Sequence, residues 1–333
     1  MNAVRGLYVD DRYRGSHGIG RYAHEVTSRL HMSWRPLGLP GAPADPGDFL
    51  RRLPSGAREG VVYSPGYGAL LSAEKQVLTV HDLIHMKVNW PHRVKYLAYY
   101  NGPVKSAIRR AGVVVTVSAT SRRDIVSWLR DDSVNVVNAG IGRSEAFRPD
   151  GPVAAARTPY LMYVGNMRKH KNLDTILSAF ATLDGIELRA VVPEREVGQL
   201  RARCQQLGIS PRVKALSGLS DEEIAAQYRG AFATVMPSTI EGFGLPPLES
   251  ICCGTPVIWW GGCDVITETV DGRGIAVNGA FDAEEWASAI QYFAASGGRV
   301  SPPPADTFDW DRVAAAVSGT IAAELGTAAK KNR

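Results

Sequence analysis

Cysteine is scarce, with four in 333 residues: Cys204, Cys252, Cys253 and Cys263, none in CxxC spacing and none beside a histidine. A disulfide scaffold or a cysteine-ligated zinc site needs closer and more regular spacing, so these read as reduced thiols, and no metal is expected. Asp10 and Asp11 make no metal motif by themselves. Long apolar runs are also missing, and Met1-Asn2-Ala3-Val4-Arg5 does not open a charged-then-apolar leader. The expectation is a cytoplasmic protein. Neither sign of charge dominates: 38 Lys and Arg against 33 Asp and Glu leave a net of +5, and no nucleic-acid partner is expected. What is present is 45% apolar and 21% charged residues, the composition of a globular protein, in a chain long enough for two domains.

The order of elements argues α/β. Gly6 to Asp10 reads as a strand, followed by a loop from Arg12 to Gly20 and a helix of about ten residues from Arg21. Pro36 to Pro54 is rich in Pro, Gly and Asp and predicts a mobile surface loop. Val61 to Tyr63 and Gln76 to Val80 are buried-strand runs, the second delivering His81 and Asp82 at its carboxyl end. A helix over 93–110, a strand over 113–118, a helix over 121–129 and a strand over 134–137 complete the first half. Three prolines among small residues between Phe147 and Pro159 have linker composition, and the boundary is placed there, giving domains 1–152 and 153–309. The pattern then restarts. Strands at 160–164, 186–192, 213–216, 231–236, 256–260 and 274–277 alternate with helices from Asn172, over 195–207, over 220–228 and over 248–253. A helix over 282–295, a break at Ser301-Pro302-Pro303-Pro304, a last helix over 310–325 and a frayed Lys330–Arg333 tail end the chain. Strand-helix alternation through both halves predicts two doubly wound parallel-sheet domains.

The chemistry concentrates in two turns. In Pro237-Ser238-Thr239-Ile240-Glu241-Gly242-Phe243-Gly244-Leu245-Pro246-Pro247-Leu248-Glu249, two carboxylates bracket a glycine turn that opens a helix. A proline suits the first helical turn, and the unpaired N–H groups of that helix mouth favour an anion such as phosphate. Ser238-x-x-Glu241 also matches a capping box, although the glycines and prolines downstream disfavour a helix starting at Ser238. Glu249, in the first helical turn, suits the dipole whatever else it does. The other turn, Gly165-Asn166-Met167-Arg168-Lys169-His170-Lys171-Asn172, puts charge-assisted donors just before a helix. Both turns follow strands of one parallel sheet, so together they describe a diphosphate site. His81 is a candidate for proton handling or for polarising a sugar hydroxyl, or it closes a turn with Asp82. Gly18-Ile19-Gly20 would let backbone approach a ligand, or is a plain turn.

Eight cations lie between Pro91 and Arg130 (Arg93, Lys95, Lys105, Arg109, Arg110, Arg122, Arg123 and Arg130) with Asp124 as the lone acid, and Tyr96, Leu97, Tyr99 and Tyr100 interleave. Such a segment is either a solvated helix face over a tyrosine stripe or a peripheral contact with an anionic membrane, at the inner face.

The carboxylate spacing resembles the glutamate-x7-glutamate motif of retaining glycosyltransferase family four, which has the GT-B fold. The resemblance runs through nearly the whole chain: Gly18 to Tyr22, Thr79 to Ile84, Val115 to Ser118, Tyr163 to Leu173, Gly218 before an acidic helix, Pro237 to Glu249, and Gly254 to Ile258. The His81-Asp82-Leu83-Ile84 context is similar to the bacterial mannosyltransferase branch. The resemblance implies two Rossmann-like domains facing across a cleft, the last helix crossing back to the first. It implies that Arg168 and Lys171 hold a donor diphosphate, Glu249 the ribose and Glu241 the transferred sugar, while Gly242, Phe243, Gly244 and Leu245 make backbone contacts. Asn166 and Leu219 would line the donor, Gly18 and Gly20 would border diphosphate and acceptor, and His81 would contact the reacting sugar from the opposite domain. The chain departs from the family pattern in the form of Arg168-Lys169-His170, at Gly261-Gly262-Cys263-Asp264 in place of a serine-rich segment, and in its short first domain.

The implied reaction moves a hexose, mannose first, from a nucleotide-diphosphate sugar to a glycan, lipid-linked or small-molecule hydroxyl, with no separate cofactor. GDP-mannose is the first donor and a UDP-sugar the second, as for a glucosyl or N-acetylglucosaminyl transferase of a natural-product pathway. A nucleotide-sugar epimerase and a noncatalytic nucleotide-sugar-binding partner are the alternatives.

Overall fold

The computed structural model describes residues 6–15, 18–43, 45, 47–88 and 93–330, with side chains through 326. Lys331 to Arg333, most of the expected tail, lie outside the described residues. The chain divides into two compact units, one comprising 1–142 with 306–333, the other 143–305.

Unit 1 opens with β1 (Leu7–Val9), α1 (Ile19–Thr27), β2 (Trp34–Pro36), α2 (Ser55–Glu59), β3 (Val61–Ser64) and β4 (Lys75–Leu78). Then come α3 (Ile84–Lys87), α4 (Arg93–Tyr99), α5 (Lys105–Ala111), β5 (Val113–Thr116), α6 (Ala119–Leu129) and β6 (Asn135–Asn138). The strands run parallel in the order β2-β1-β3-β4, and the Thr79–Val115 bridge carries the sheet on to the β5-β6 pair. Continuous apolar runs explain β3 and β5, every residue of which is buried. Between α4 and α5 the helix widens into a π segment, Tyr100–Val104, that contains Pro103. Proline offers no donor to the helical ladder, and a wide turn accommodates it.

Unit 2 contains β7 (Tyr160–Val164), α7 (Leu173–Ala181), β8 (Glu187–Val191), α8 (Glu194–Gln206), β9 (Val213–Leu216) and α9 (Asp221–Gly230). It continues with β10 (Ala233–Met236), α10 (Leu245–Cys252), β11 (Val257–Trp260), α11 (Asp264–Val270), β12 (Gly274–Val277) and α12 (Ala283–Ser296). All six strands are parallel, in the order β12-β11-β10-β7-β8-β9. Helix starts follow capping chemistry: Ser220 and Glu223 form a reciprocal capping box on α9, and Asp282 accepts two backbone N–H groups of α12. The core between sheet and helices holds Ile176, Phe180, Leu200, Ile258 and Trp286. The last helix, α13 (Trp310–Lys330), groups with unit 1 and buries Val313, Val317 and Ile321 there.

Four expectations change. The segment 36–54 is not simply a surface loop. It follows β2 and holds a 3-10 turn, Asp48–Leu50, whose buried Asp48 is bound by Arg12 and Arg51. Helix α1 starts at Ile19, two residues early, because Gly18 at φ 59° turns the chain into it. The proline stretch 149–159 lies within unit 2: buried Arg229 donates to the carbonyls of Ala146, Arg148 and Pro152, and Arg189 to that of Ala155, so these backbone groups are satisfied there. The last helix continues to Lys330 instead of ending near Leu325.

Candidate functional site

In unit 2, β7 and β10 are neighbours, and the chain leaves them in opposite directions, towards β8 and β9 on one side and β11 and β12 on the other. At such a switch point the loops after the two strands diverge and open a crevice at their carboxyl ends. Those loops are the two turns singled out by the sequence.

Side chains and backbone tie the turns together. Lys171 Nζ lies 2.5 Å from Glu241 Oε1, with the side chains only 14% and 9% exposed. The N–H and hydroxyl of Thr239 both donate to the His170 carbonyl, at 2.8 and 3.2 Å. His170 is half-buried, and burial, followed by the charge of Lys171, lowers its pKa. Arg168 is exposed at the rim, its N–H bonded to Asn166 Oδ1 at 3.1 Å, while the Asn166 carbonyl accepts from Tyr163 at 2.7 Å. No helix begins at Ser238, so the capping-box alternative does not occur; the Ser238 hydroxyl is buried and finds no hydrogen-bond partner among the described residues.

The glycine turn follows. Gly244 stands at φ 85° as the residue before α10, a left-handed position suited to glycine, and Pro246 lies in the first helical turn. Gly242 and Phe243 form the bend ahead of it, and the Phe243 carbonyl accepts from Thr269 of α11 at 3.2 Å. One turn into α10, Glu249 is buried, and the Tyr228 hydroxyl donates to its Oε2 at 3.4 Å. Burial pushes the Tyr228 phenol well above its ordinary pKa, with the Glu249 charge adding to it. Leu219 follows β9, two strands away from β7.

One neighbour was not singled out from the sequence. Cys263, at the residue before α11, is buried, and its thiol is pushed up to about 12 by burial, with the Glu241 charge second. Only the unusual Gly261-Gly262-Cys263 run marked the place. The arrangement offers an anion the Arg168 and Lys171 cations and the N–H groups of a helix mouth, and offers hydroxyls two fixed carboxylates.

Unit 1 has its own switch point, between β1 and β3. A cavity of about 280 Å³ there is lined by Asp11, Arg14, Gly20, His24, Trp34 and Pro65, among others. Asp10 is not available as a ligand, because Arg12 holds it at 2.8 Å and Asp48 at 2.6 Å. Gly20 lies in the first turn of α1, and a Cβ there would stand 2.6 Å from the Arg14 carbonyl oxygen, so the loop's own backbone demands glycine. His81, just past β4, is half-buried, with Nε2 2.9 Å from the Pro65 carbonyl and its ring edge-on to Tyr22 at 4.7 Å. A carbonyl only accepts, so Nε2 carries the proton and neutral His81 keeps Nδ1 as an acceptor. Burial lowers its pKa, against the Pro65 bond and the Asp82 charge, and favours that neutral form.

In the basic segment, Arg109 pairs with Asp131 at 2.9 Å, an acid just past its end, and Asp124 pairs at 2.6 Å with Lys87, which lies just before it. Arg93, Val94 and Lys95 remain exposed. Among the described residues no helix is long and apolar enough to cross a membrane, and no His, Cys, Asp and Glu group would hold a metal ion.

The two parallel-sheet units, with the closing helix grouped with the first, define the GT-B fold of glycosyltransferases. Residues 149–299 match the family described as glycosyl transferases group 1. That match covers less than half of the chain and is consistent with the glycosyltransferase family that the sequence resembles. Among curated proteins the chain is similar to the O-antigen chain mannosyltransferase B of Escherichia coli, at 26% identity over 60% of this chain and 56% of that one. It is also similar to the O-antigen chain mannosyltransferase RfbU of Salmonella typhimurium, at 27% over 65% and 60%. The matches thus span less than two thirds of these relatives' length. Among solved structures, Anabaena Alr3699/HepE in complex with UDP and glucose superposes with a TM-score of 0.71 over 96% of this chain and 99% of that one, at 16% identity.

Proposed function

We propose that the protein is a retaining glycosyltransferase that moves a hexose from a nucleotide-diphosphate sugar to a hydroxyl acceptor. The observation that carries this reading is the Lys171–Glu241 pair, held at 2.5 Å beside the glycine turn and helix mouth of α10. One ammonium proton serves Glu241, and the others are available to a phosphate oxygen.

In the proposed reaction the anomeric C–O bond breaks through an oxocarbenium-like state while negative charge grows on the leaving diphosphate. Arg168, Lys171 and the backbone N–H groups around Phe243, Gly244 and Leu245 would stabilise that charge. Glu249 would accept from the ribose hydroxyls, with the Tyr228 hydroxyl fixing its carboxylate, and Glu241 would accept from hydroxyls of the transferred sugar. The incoming hydroxyl would attack on the face the diphosphate leaves, its proton passing to the departing phosphate oxygen. To His81 the resemblance assigns a hydroxyl of the reacting sugar, and the bond to Pro65 makes Nδ1 the atom that would accept it.

Mannose from GDP-mannose is the first donor, supported by the two O-antigen mannosyltransferases. The UDP and glucose bound by the Anabaena protein favour a UDP-sugar as the second. The acceptor is proposed to be a glycan, lipid-linked or small-molecule hydroxyl, and the exposed Arg93, Val94 and Lys95 a peripheral contact with an anionic membrane surface, the inner face in a cytoplasmic setting. Thermal shift with GDP against UDP tests the donor: at about 100 times its dissociation constant a ligand stabilises by roughly 2.7 kcal/mol. A shift with neither nucleotide overturns the reading. Formation of an isomeric nucleotide sugar without glycoside would establish an epimerase, and binding without turnover across a broad acceptor panel a noncatalytic partner.

A further inference from the structure

A second cavity in unit 1, about 510 Å³, shares no lining residue with the one at the β1/β3 switch point. That volume lies in the ~300–1,000 Å³ range of small-molecule sites. Its walls come from α3, the π segment, α5 and α6, and carry Lys87, Asn101, Lys105, Asp124, Trp128 and Arg130.

Three cations against one carboxylate leave an excess of positive charge, and the one acid is already taken by Lys87 at 2.6 Å. Lys105 Nζ donates to the Trp128 carbonyl at 2.8 Å and lies 5.4 Å over the indole ring, so its position is fixed. Burial and then the charges of Arg109 and Arg130 lower the Lys105 pKa, against the charge of Asp131, which Arg109 already holds at 2.9 Å. The indole is oriented in turn, its Nε1 donating to Asn101 Oδ1 at 3.0 Å. Arg130 follows α6 in the left-handed conformation, φ 48°, with its side chain exposed at the mouth. A held aromatic surface beside two donors of one sign suits a ligand with a compact apolar face and an anionic group: a sugar ring presents C–H groups on one face, and a guanidinium forks onto phosphate or carboxylate.

We propose that this cavity binds an anionic saccharide, a sugar bearing a phosphate or carboxylate, with its ring against Trp128 and its anion between Lys105 and Arg130. The site is independent of the donor turns of unit 2 and of the transferase reading.

The test is calorimetric titration of the full chain with mannose 6-phosphate, mannose and inorganic phosphate. Mannose 6-phosphate is expected to bind at least about tenfold more tightly than either other probe, and Lys105→Met and Arg130→Asn each to weaken it about tenfold or more, that is by ~1.4 kcal/mol. Arg130→Asn suits the left-handed backbone and keeps the test valid if Lys105→Met fails to fold, which circular dichroism shows. Unchanged binding in Lys171→Ala supports the assignment. The proposal is overturned by failure of mannose 6-phosphate to bind, by unchanged affinity in both cavity variants, or by equal affinity for mannose or for phosphate. Loss of binding in Lys171→Ala places the ligand at the donor turns and overturns it too. Anionic phosphatidylglycerol vesicles that need Lys105 and Arg130, when the soluble sugar phosphate does not bind, make the patch a membrane contact instead.

Discussion

Lys171 and Glu241, 70 residues apart in the sequence, meet at 2.5 Å in a setting that leaves less than a sixth of either side chain exposed. A pair this enclosed has two consequences, one for folding and one for turnover. Removing either partner leaves the other charge poorly solvated, so each single variant is expected to destabilise unit 2 by roughly 1–3 kcal/mol. A double-mutant cycle with Lys171→Met and Glu241→Gln should recover part of that loss as coupling, and strict additivity of the two would show that the contact is not energetically made.

The same pair governs the proposed reaction. Lys171→Ala and Glu241→Ala are expected to lower kcat by about 100-fold or more while circular dichroism stays native, since removal of a single charge-stabilising donor commonly costs that much. Wild-type rates in both folded variants would rule out the assigned roles.

Glu249, anchored by the Tyr228 hydroxyl, is assigned to the ribose, which does not change charge in the reaction. Glu249→Gln should therefore raise the donor KM about tenfold, near 1.4 kcal/mol, with kcat nearly unchanged, and Tyr228→Phe should do the same more weakly. Initial rates over a donor series separate this from a fall in kcat, which would move Glu249 into the chemical step.

Gly20→Ala should destabilise unit 1. The added Cβ would stand 2.6 Å from the Arg14 carbonyl oxygen, a contact that backbone must yield to relieve. Overpacking of this kind costs about 1–3 kcal/mol, readable as a lower urea midpoint at constant slope. An unchanged midpoint would mean that the Arg14 to Gly20 loop adjusts freely.

Acid should weaken the fold through His81 and His170. Both have folded pKa values below the ordinary imidazole value because burial disfavours their charged forms. Between the folded and unfolded values the unfolded chain binds more protons, so stability rises with pH across that window and falls as pH drops through about 6.5. Urea midpoints from about pH 7.5 down to about pH 5.5 should show the decline, and His81→Gln and His170→Gln should each flatten it. A slope unaffected by both would assign the decline to other groups.

The central strand Tyr160–Val164 was legible because it carries a continuous apolar run, and the edge strands Val213–Leu216 and Gly274–Val277 also fall where the sequence places them. Strand β2 was not, since Trp34, Arg35 and Pro36 are all exposed and show no apolar period. Helix α11 was missed for another reason. Its β-branched Val265, Ile266 and Thr267 favour strand, and it follows Cys263 without a side-chain cap. At the candidate site, the sequence marked both turns but not their meeting, because the pairing of β7 with β10 brings Lys171 to Glu241. Asp48 gave no sign of burial, its partner Arg12 lying 36 residues earlier.

Unit 2 is a single contiguous stretch, whereas unit 1 is assembled from both ends of the described chain. Trp310 of α13 fills the place a side chain at Gly142 would occupy, Ser318 accepts the His31 N–H at 3.1 Å, and Lys75 pairs with Glu324 at 2.6 Å. During synthesis, then, the earlier-made sheet of unit 1 would wait with part of its apolar surface uncovered while the whole of unit 2 emerges and folds. Unit 1 is therefore completed only by a segment translated after the whole of unit 2.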